Sequence, residues 1–239
     1  VGTIVMNKFV PISGTITNWT SGMGDIRVDL FGDTGGTWHQ LGNGGNYGDD
    51  TTTATFSFLA PISAADYTLR FQFDGPAPYL GAFLGGVFDD PSLGMPLDGV
   101  PGVGQSGIQM TMPAAALVTG RVTTGGSTPL AGIEVSAQNE PDETEVDETV
   151  TDADGQYSLR VRPGVTNSVY AEDYPLERYL PMTYDNRSGC GCDFDPVVSQ
   201  LGSPAQNIDF DLVLDDSAPV IEGLVLDGLA PSAPTACGS

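Results

Sequence analysis

Thr151-Asp-Ala-Asp-Gly155-Gln-Tyr157-Ser-Leu159-Arg-Val161 reads as a tight turn that launches a strand. Gly155 is the residue free to take positive φ in the turn. Behind it, Tyr157, Leu159 and Val161 alternate with Ser158 and Arg160. Period-two alternation sends one set of side chains to a buried face and the other to a solvated one. The same pattern recurs at Ile26-Arg-Val28-Asp-Leu30, Thr55-Phe56-Ser-Phe58 and Tyr67-Thr-Leu69-Arg-Phe71-Gln-Phe73. It recurs again at Ile133-Glu-Val135-Ser-Ala137 and Ile208-Asp-Phe210-Asp-Leu212-Val-Leu214. Such runs suit a pleated, half-buried surface, and Gly/Pro/Asp/Asn clusters separate them. Gly (32) and Pro (18) make up about a fifth of the 239 residues, so turns are dense. Helical periodicity is hard to find. The reading is an all-β chain built of sandwiches.

The chain also repeats itself. Ile12-Ser-Gly14-Thr-Ile-Thr, Val118-Thr-Gly120-Arg-Val-Thr and Ile221-Glu-Gly223-Leu-Val-Leu share an apolar-x-Gly-x-apolar pattern. Their glycines lie 106 and 103 residues apart. Other landmarks keep nearly the same offset: Ile26/Val28 with Ile133/Val135, Phe56-Ser-Phe58 with Tyr157-Ser-Leu159, Pro61 with Pro163, and Tyr79-Leu80 with Tyr179-Leu180. The organisation expected is two tandem Ig-like β-sandwiches, residues 11–114 and 115–217. An unpaired last strand precedes them at 1–10, and an unpaired first strand with a tail follows at 218–239.

Gly120-Arg-Val-Thr, Thr128-Pro-Leu-Ala-Gly132-Ile-Glu-Val135, Thr151-Asp-Ala-Asp-Gly155-Gln-Tyr157 and Pro163-Gly164 together resemble the carboxypeptidase regulatory-like repeats. These are prealbumin-like sandwiches close to the Cna-B type. The first repeat departs from that pattern, because Thr51-Thr-Thr-Ala-Thr-Phe56 has no Asp-Gly turn and its loops are longer and glycine-rich. The resemblance implies sandwiches of roughly seven strands, an extracellular and modular role, and no catalysis in the module itself.

The ends carry apolar strand-like segments with no sandwich of their own: Ile4, Met6 and Phe9 at one end, Ile221, Leu224 and Leu226 at the other. An unpaired apolar strand exposes backbone donors and acceptors and invites pairing. Three arrangements answer this. The chain is a piece of a longer array, or each end pairs with a neighbouring copy as a donated strand, or both ends fold back. A head-to-tail contact between copies does not close and propagates as a filament.

Composition bounds the partners. Eight Lys+Arg stand against 31 Asp+Glu, giving a formal net charge of −23. Nucleic acid and anionic membrane surfaces reward the opposite charge. No run approaches the ~20 apolar residues of a membrane span. Three cysteines, Cys190, Cys192 and Cys237, make an odd count. In the extracellular setting that the resemblance implies, disulfides persist. Either Cys237 pairs with Cys190 or Cys192, across copies if the tail crosses over, or Cys190 and Cys192 pair and Cys237 is free. Zinc on these cysteines and His39 has the right atom types but no recognised spacing.

His39 is the one imidazole, and no Gly-x-Ser-x-Gly elbow lies near it, so nucleophilic catalysis is disfavoured. Nothing singles out a glycosidase carboxylate pair. No cofactor is called for, and calcium is the one ion left open, with Asp152 and Asp154 as its candidates. Asn18-Trp-Thr20 and Asn186-Arg-Ser188 are glycosylation sequons. Lys8 is the sole lysine for an isopeptide crosslink of the kind some Cna-B relatives form. Trp19, Trp38 and Tyr47 are candidates for a sugar-stacking platform, with Trp19 expected in the core and the other two in a loose loop.

The function expected is a non-enzymatic, extracellular, cell-surface structural protein. It is a subunit of a filament or stalk whose partners are other copies of itself. The competing class is an accessory binding or spacer module of a secreted hydrolase or adhesin, with a glycan or surface ligand.

Overall fold

The computed structural model describes residues 9–19, 23–47, 54–61, 66–75, 77–88, 90–97, 104–140, 144–184, 187–188 and 195–215. Among these residues the regular structure is strand throughout, apart from one 3-10 turn at Pro91–Leu93. The chain is all-β, as the alternation required.

The first unit holds β1 (Phe9–Ile16), β2 (Asp25–Asp33), β3 (Trp38–Tyr47), β4 (Ala54–Pro61), β5 (Tyr67–Asp74), β6 (Ala82–Phe83) and β7 (Gln105–Met110). They form two sheets, β4-β1-β7 and β3-β2-β5-β6. The second unit holds β8 (Ala116–Thr124), β9 (Thr128–Pro129), β10 (Glu134–Asn139), β11 (Thr144–Val150), β12 (Gln156–Val161) and β13 (Thr166–Glu172). It continues with β14 (Met182–Thr183), β15 (Arg187–Ser188), β16 (Val197–Val198) and β17 (Phe210–Asp211). Its sheets run β12-β8-β17 and β11-β10-β13-β14-β15, with β9 beside β8 and β16 beside β13.

The two units share one topology. In each, the first strand lies between an antiparallel partner and a parallel last strand. Gly14 faces Phe56 of β4 and Ile108 of β7. Gly120 faces Tyr157 of β12, while β17 runs parallel alongside β8. In the opposite sheet, Val28 pairs with Phe71 as Val135 pairs with Ala171. Phe71 then pairs with Ala82 as Ala171 pairs with Met182.

The repeated glycine has a steric cause. A Cβ on Gly14 would sit 2.3 Å from the Ile108 carbonyl oxygen and 2.5 Å from the Phe56 ring. On Gly120 it would sit 1.9 Å from the Ile208 oxygen and 2.9 Å from the Tyr157 hydroxyl oxygen. Each first strand is thus pressed between a closing strand and an aromatic ring, and only glycine fits there.

Each unit buries its own core. Ile16, Trp19, Ile26, Leu30, Phe56 and Phe71 lead the first. Val118, Ile133, Leu159, Val169, Phe210 and Leu212 lead the second. Trp19 is buried and donates its indole N–H to the Gly24 carbonyl at 2.8 Å, which places it in the core rather than on a sugar platform.

Two readings need correction. Phe9 and Val10, assigned to an unpaired segment ending at residue 10, open β1 instead and pair with Pro61 and Ala60 of their own unit. Trp38 belongs to no loose loop: Trp38–Tyr47 is a strand, β3. Register shifts between Val28 and Asp29 and between Leu30 and Phe31 absorb extra residues, so a glycine-rich segment still pairs along β2.

Candidate functional site

The joint between the units is where the described residues of both meet. Only five residues separate β7 from β8, so the closing strand of one sandwich feeds directly into the opening strand of the next. That connection is pinned by backbone. Leu80 N–H donates to the Pro113 oxygen at 3.0 Å, and Ala115 N–H donates to the Pro78 oxygen at 2.8 Å.

Arg160 on β12 and Arg162 just past its end then reach the first unit. Arg160 donates to the Asp147 carboxylate through Nη2 (3.1 Å) and Nε (3.3 Å). It also reaches the Gly75 carbonyl through Nη1 at 3.2 Å, and its guanidinium carbon lies 5.8 Å from the Phe73 ring centroid. The Arg162 guanidinium sits 4.5 Å above the Phe88 ring. A cation over an aromatic face is attracted by the ring quadrupole, more so where water is partly excluded. A cavity of about 200 Å³ lies here, lined by Arg70, Phe73 and Tyr79 from one unit and Asp147, Arg160 and Arg162 from the other. A second, of about 370 Å³, lies between Pro78, Tyr79, Leu117, Leu201 and Pro204. The arrangement joins the two units through a short tether, the Arg160 hydrogen bond to Gly75 and the arginine–ring contacts, with the Asp147 carboxylate of the second unit holding Arg160 in place.

The backbone half of the joint recurs at the far end of the second unit. Leu180 N–H donates to Val213 oxygen at 2.9 Å, and Asp215 N–H to Arg178 oxygen at 2.9 Å. Tyr79 bridges Ala114 as Tyr179 bridges Leu214. The loop preceding Tyr179 is held by a two-point ion pair. Arg178 Nε and Nη2 donate to the Asp173 carboxylate at 2.8 and 3.0 Å. This partner and the Arg178 backbone N–H hold the buried Asp173 carboxyl below its ordinary range, against the opposing effect of burial.

The other residues singled out from sequence fall as follows. Asn18 forms a two-point clamp on the first unit's closing segment: its Nδ2 donates to the Met112 oxygen and its Oδ1 accepts the Met112 N–H, both at 2.9 Å. Asp152 and Asp154 are exposed turn residues. Asp152 Oδ1 accepts the backbone N–H of Asp154 (2.9 Å) and of Gln156 (2.8 Å), so the carboxylate is occupied in building the turn. No group of three or more His, Cys, Asp or Glu side chains among the described residues could hold a metal ion. His39 is exposed on β3. Lys8, Ile4, Met6, Asn186, Cys190, Cys192, Ile221, Leu224, Leu226 and Cys237 lie outside the described residues, as does the side chain of Tyr47. Among the described residues, no helix is long and apolar enough to cross a membrane.

A groove of about 780 Å³ on the β8–β12 side is lined by Thr119, Arg121, Asp152, Ser158, Asn207 and Asp209. Its polar groups bond one another: Arg121 N–H to Asp209 at 2.8 Å and Arg121 Nε to the Asp154 oxygen at 2.8 Å. Tyr157, also along it, donates its hydroxyl to the Ile208 oxygen at 2.5 Å, and burial pushes that phenol well above its usual value. Sequence reasoning missed Arg160 and Arg162 at the joint. Their one signal was that two of a scarce supply of cations stand two apart at the end of an alternating run, out of step with its core positions.

Residues 117–177 match the family model for the carboxypeptidase regulatory-like domain, which spans β8 to the loop beyond β13. No curated protein matches the sequence. Among solved structures, the chain is similar to the shaft pilin SpaA from Lactobacillus rhamnosus GG, at 11% identity and a TM-score of 0.30, covering 90% of this chain and 100% of that one. It is similar to the group B streptococcus pilus 2b backbone protein at 12% identity and a TM-score of 0.26, covering 86% and 85%. The Bacillus anthracis TIE protein matches at 12% identity and a TM-score of 0.27, over 84% of this chain. The chain spans a third of that protein's length. These likenesses supply no residue-by-residue correspondence.

Proposed function

We propose that the chain is a non-catalytic, extracellular structural protein, a subunit or segment of a surface fibre or stalk whose sandwiches follow one another head to tail. The observation that carries this is the joint itself. A five-residue connection pinned to the Pro78–Leu80 segment makes the two sandwiches consecutive links, and the same pinning at Arg178–Leu180 and Val213–Asp215 ends the second link as the first one ends.

The partner in this reading is another copy of the chain. The segment bearing Ile4 and Met6, ahead of the β1 start at Phe9, and the segment bearing Ile221, Leu224 and Leu226 join successive copies by strand pairing, and a disulfide through Cys190, Cys192 or Cys237 locks the join. The mechanism is mechanical: sheet hydrogen bonds and apolar burial transmit load along the array. Dilution from denaturant tests it. The full chain is expected to refold into assemblies that grow with concentration on sizing, and to dissociate partly on reduction. A single monomer peak with both termini protected from protease contradicts the reading.

A further inference from the structure

The internal joint has two faces, and each has a counterpart with exposed apolar side chains elsewhere on the molecule. On the second unit's side, Leu117 and Arg160 are direct cross-strand partners. Both are half-buried, and Ala115 beside them is buried, at the joint. The same positions on the first unit are Pro11 paired with Leu59, and Phe9 paired with Pro61. Phe9, Pro11 and Leu59 share the outer face of β1 and β4 by the two-residue period. On that face Phe9 is 52% and Leu59 66% exposed.

On the first unit's side, the joint is received by Phe73, Gly75 and Tyr79. The equivalent stretch of the second unit is the Asp173–Tyr179 loop with Val213 and Leu214. It presents Tyr174 (64% exposed), Leu176 (62%), Val213 (56%) and Leu214 (56%). Four large apolar side chains thus stand exposed on this loop and on the strand end that the Leu180 N–H and the Tyr179–Leu214 bridge hold beside it. The chemistry of the two open faces also matches. Where the internal joint sets Arg160 against an aromatic ring and a carbonyl, the open faces set Leu59 against tyrosine and leucine.

We propose that the Phe9–Pro11–Leu59 face of one copy docks on the Tyr174–Leu176 loop and Val213–Leu214 of a second copy, repeating the internal joint between copies. The proposal rests on the head-to-tail reading above and names its contact. The two faces are different surfaces, so the contact is heterologous and propagates. Because each copy carries a net charge of −23, an apolar contact between copies strengthens as salt screens their repulsion.

The test is sedimentation velocity on the full 239-residue chain, on Leu59→Asp, on Leu176→Asp, and on the two variants mixed. Both positions are exposed, and each variant's melting temperature is read alongside to show that its fold is intact. The parent chain is expected to form a concentration- and salt-dependent series of oligomers, and each variant alone to lose association at least tenfold. Mixed, the variants are expected to form dimers that grow no further, since Leu59→Asp keeps one good face and Leu176→Asp the other. Undiminished assembly by both variants overturns this contact while leaving the fibre reading standing on another join. A parent chain that stays monomeric defeats both. A monomer that begins to associate once residues 216–239 are removed overturns the contact in favour of the chain covering its own face.

Discussion

Gly14 and Gly120 show how one atom can fix a fold. The first strand of each sandwich lies so close to the closing strand that a methyl group would overlap a carbonyl oxygen. Gly120→Ala is therefore expected to cost about 1–3 kcal/mol or more, the range of overpacking in a rigid site, and to appear as a lower melting transition for the second unit by calorimetry. Asn18→Ala removes two backbone hydrogen bonds from the first unit's closing segment and is expected to cost about 1–3 kcal/mol, read as a lower urea midpoint. Two carboxyls of the second unit give opposite pH signatures. Asp173 is held low by Arg178, so its stabilisation is present above the ordinary value of 3.8 and is lost as pH falls through the lower folded value. Asp173→Asn is expected to flatten that acid limb in urea melts taken between pH 5 and 2. Glu134 is held high by burial and by its neighbours Glu148 and Glu172, so its favourable contribution is present at low pH and is lost as pH rises. At pH 7, Glu134→Gln is expected to stabilise by up to about 1 kcal/mol, the scale of a relieved cross-strand repulsion.

At the scale of elements, the joint couples two separate cores. Arg160 and Arg162 hold the second unit to Gly75, Phe73 and Phe88 of the first. The double substitution Arg160→Ala and Arg162→Ala is expected to spread the two units' calorimetric transitions apart and to speed amide exchange in the Phe73–Gly75 segment. Unchanged coupling would leave the tether alone holding the units. Much of this level was legible in the sequence. Alternation marked β2, β5, β10 and β12, and the Gly14/Gly120 and Tyr79/Tyr179 spacings anticipated the shared topology. The glycine-rich β3 was not legible, because bulges hide its period from any alternation test. Nor was the joint, since nothing local tells whether Arg160 faces water or another sandwich. The strand start at Phe9 was mistaken because repeat arithmetic locates units to within a few residues, whereas pairing with Pro61 decides where β1 begins.

For the whole molecule, the charge and the exposed apolar faces pull in opposite directions. A net charge of −23 disfavours association, while faces carrying Phe9 and Leu59 at one end and Tyr174, Leu176, Val213 and Leu214 at the other favour it. The balance makes assembly a matter of concentration and salt, and the unlike character of the two ends makes it linear. The most direct measurement is electron microscopy of the refolded full chain, concentrated in moderate salt. The head-to-tail account predicts unbranched threads one sandwich wide, with the internal joint and the joint between copies alternating along them. Isolated two-lobed particles at every concentration and salt, or closed rings, would contradict it.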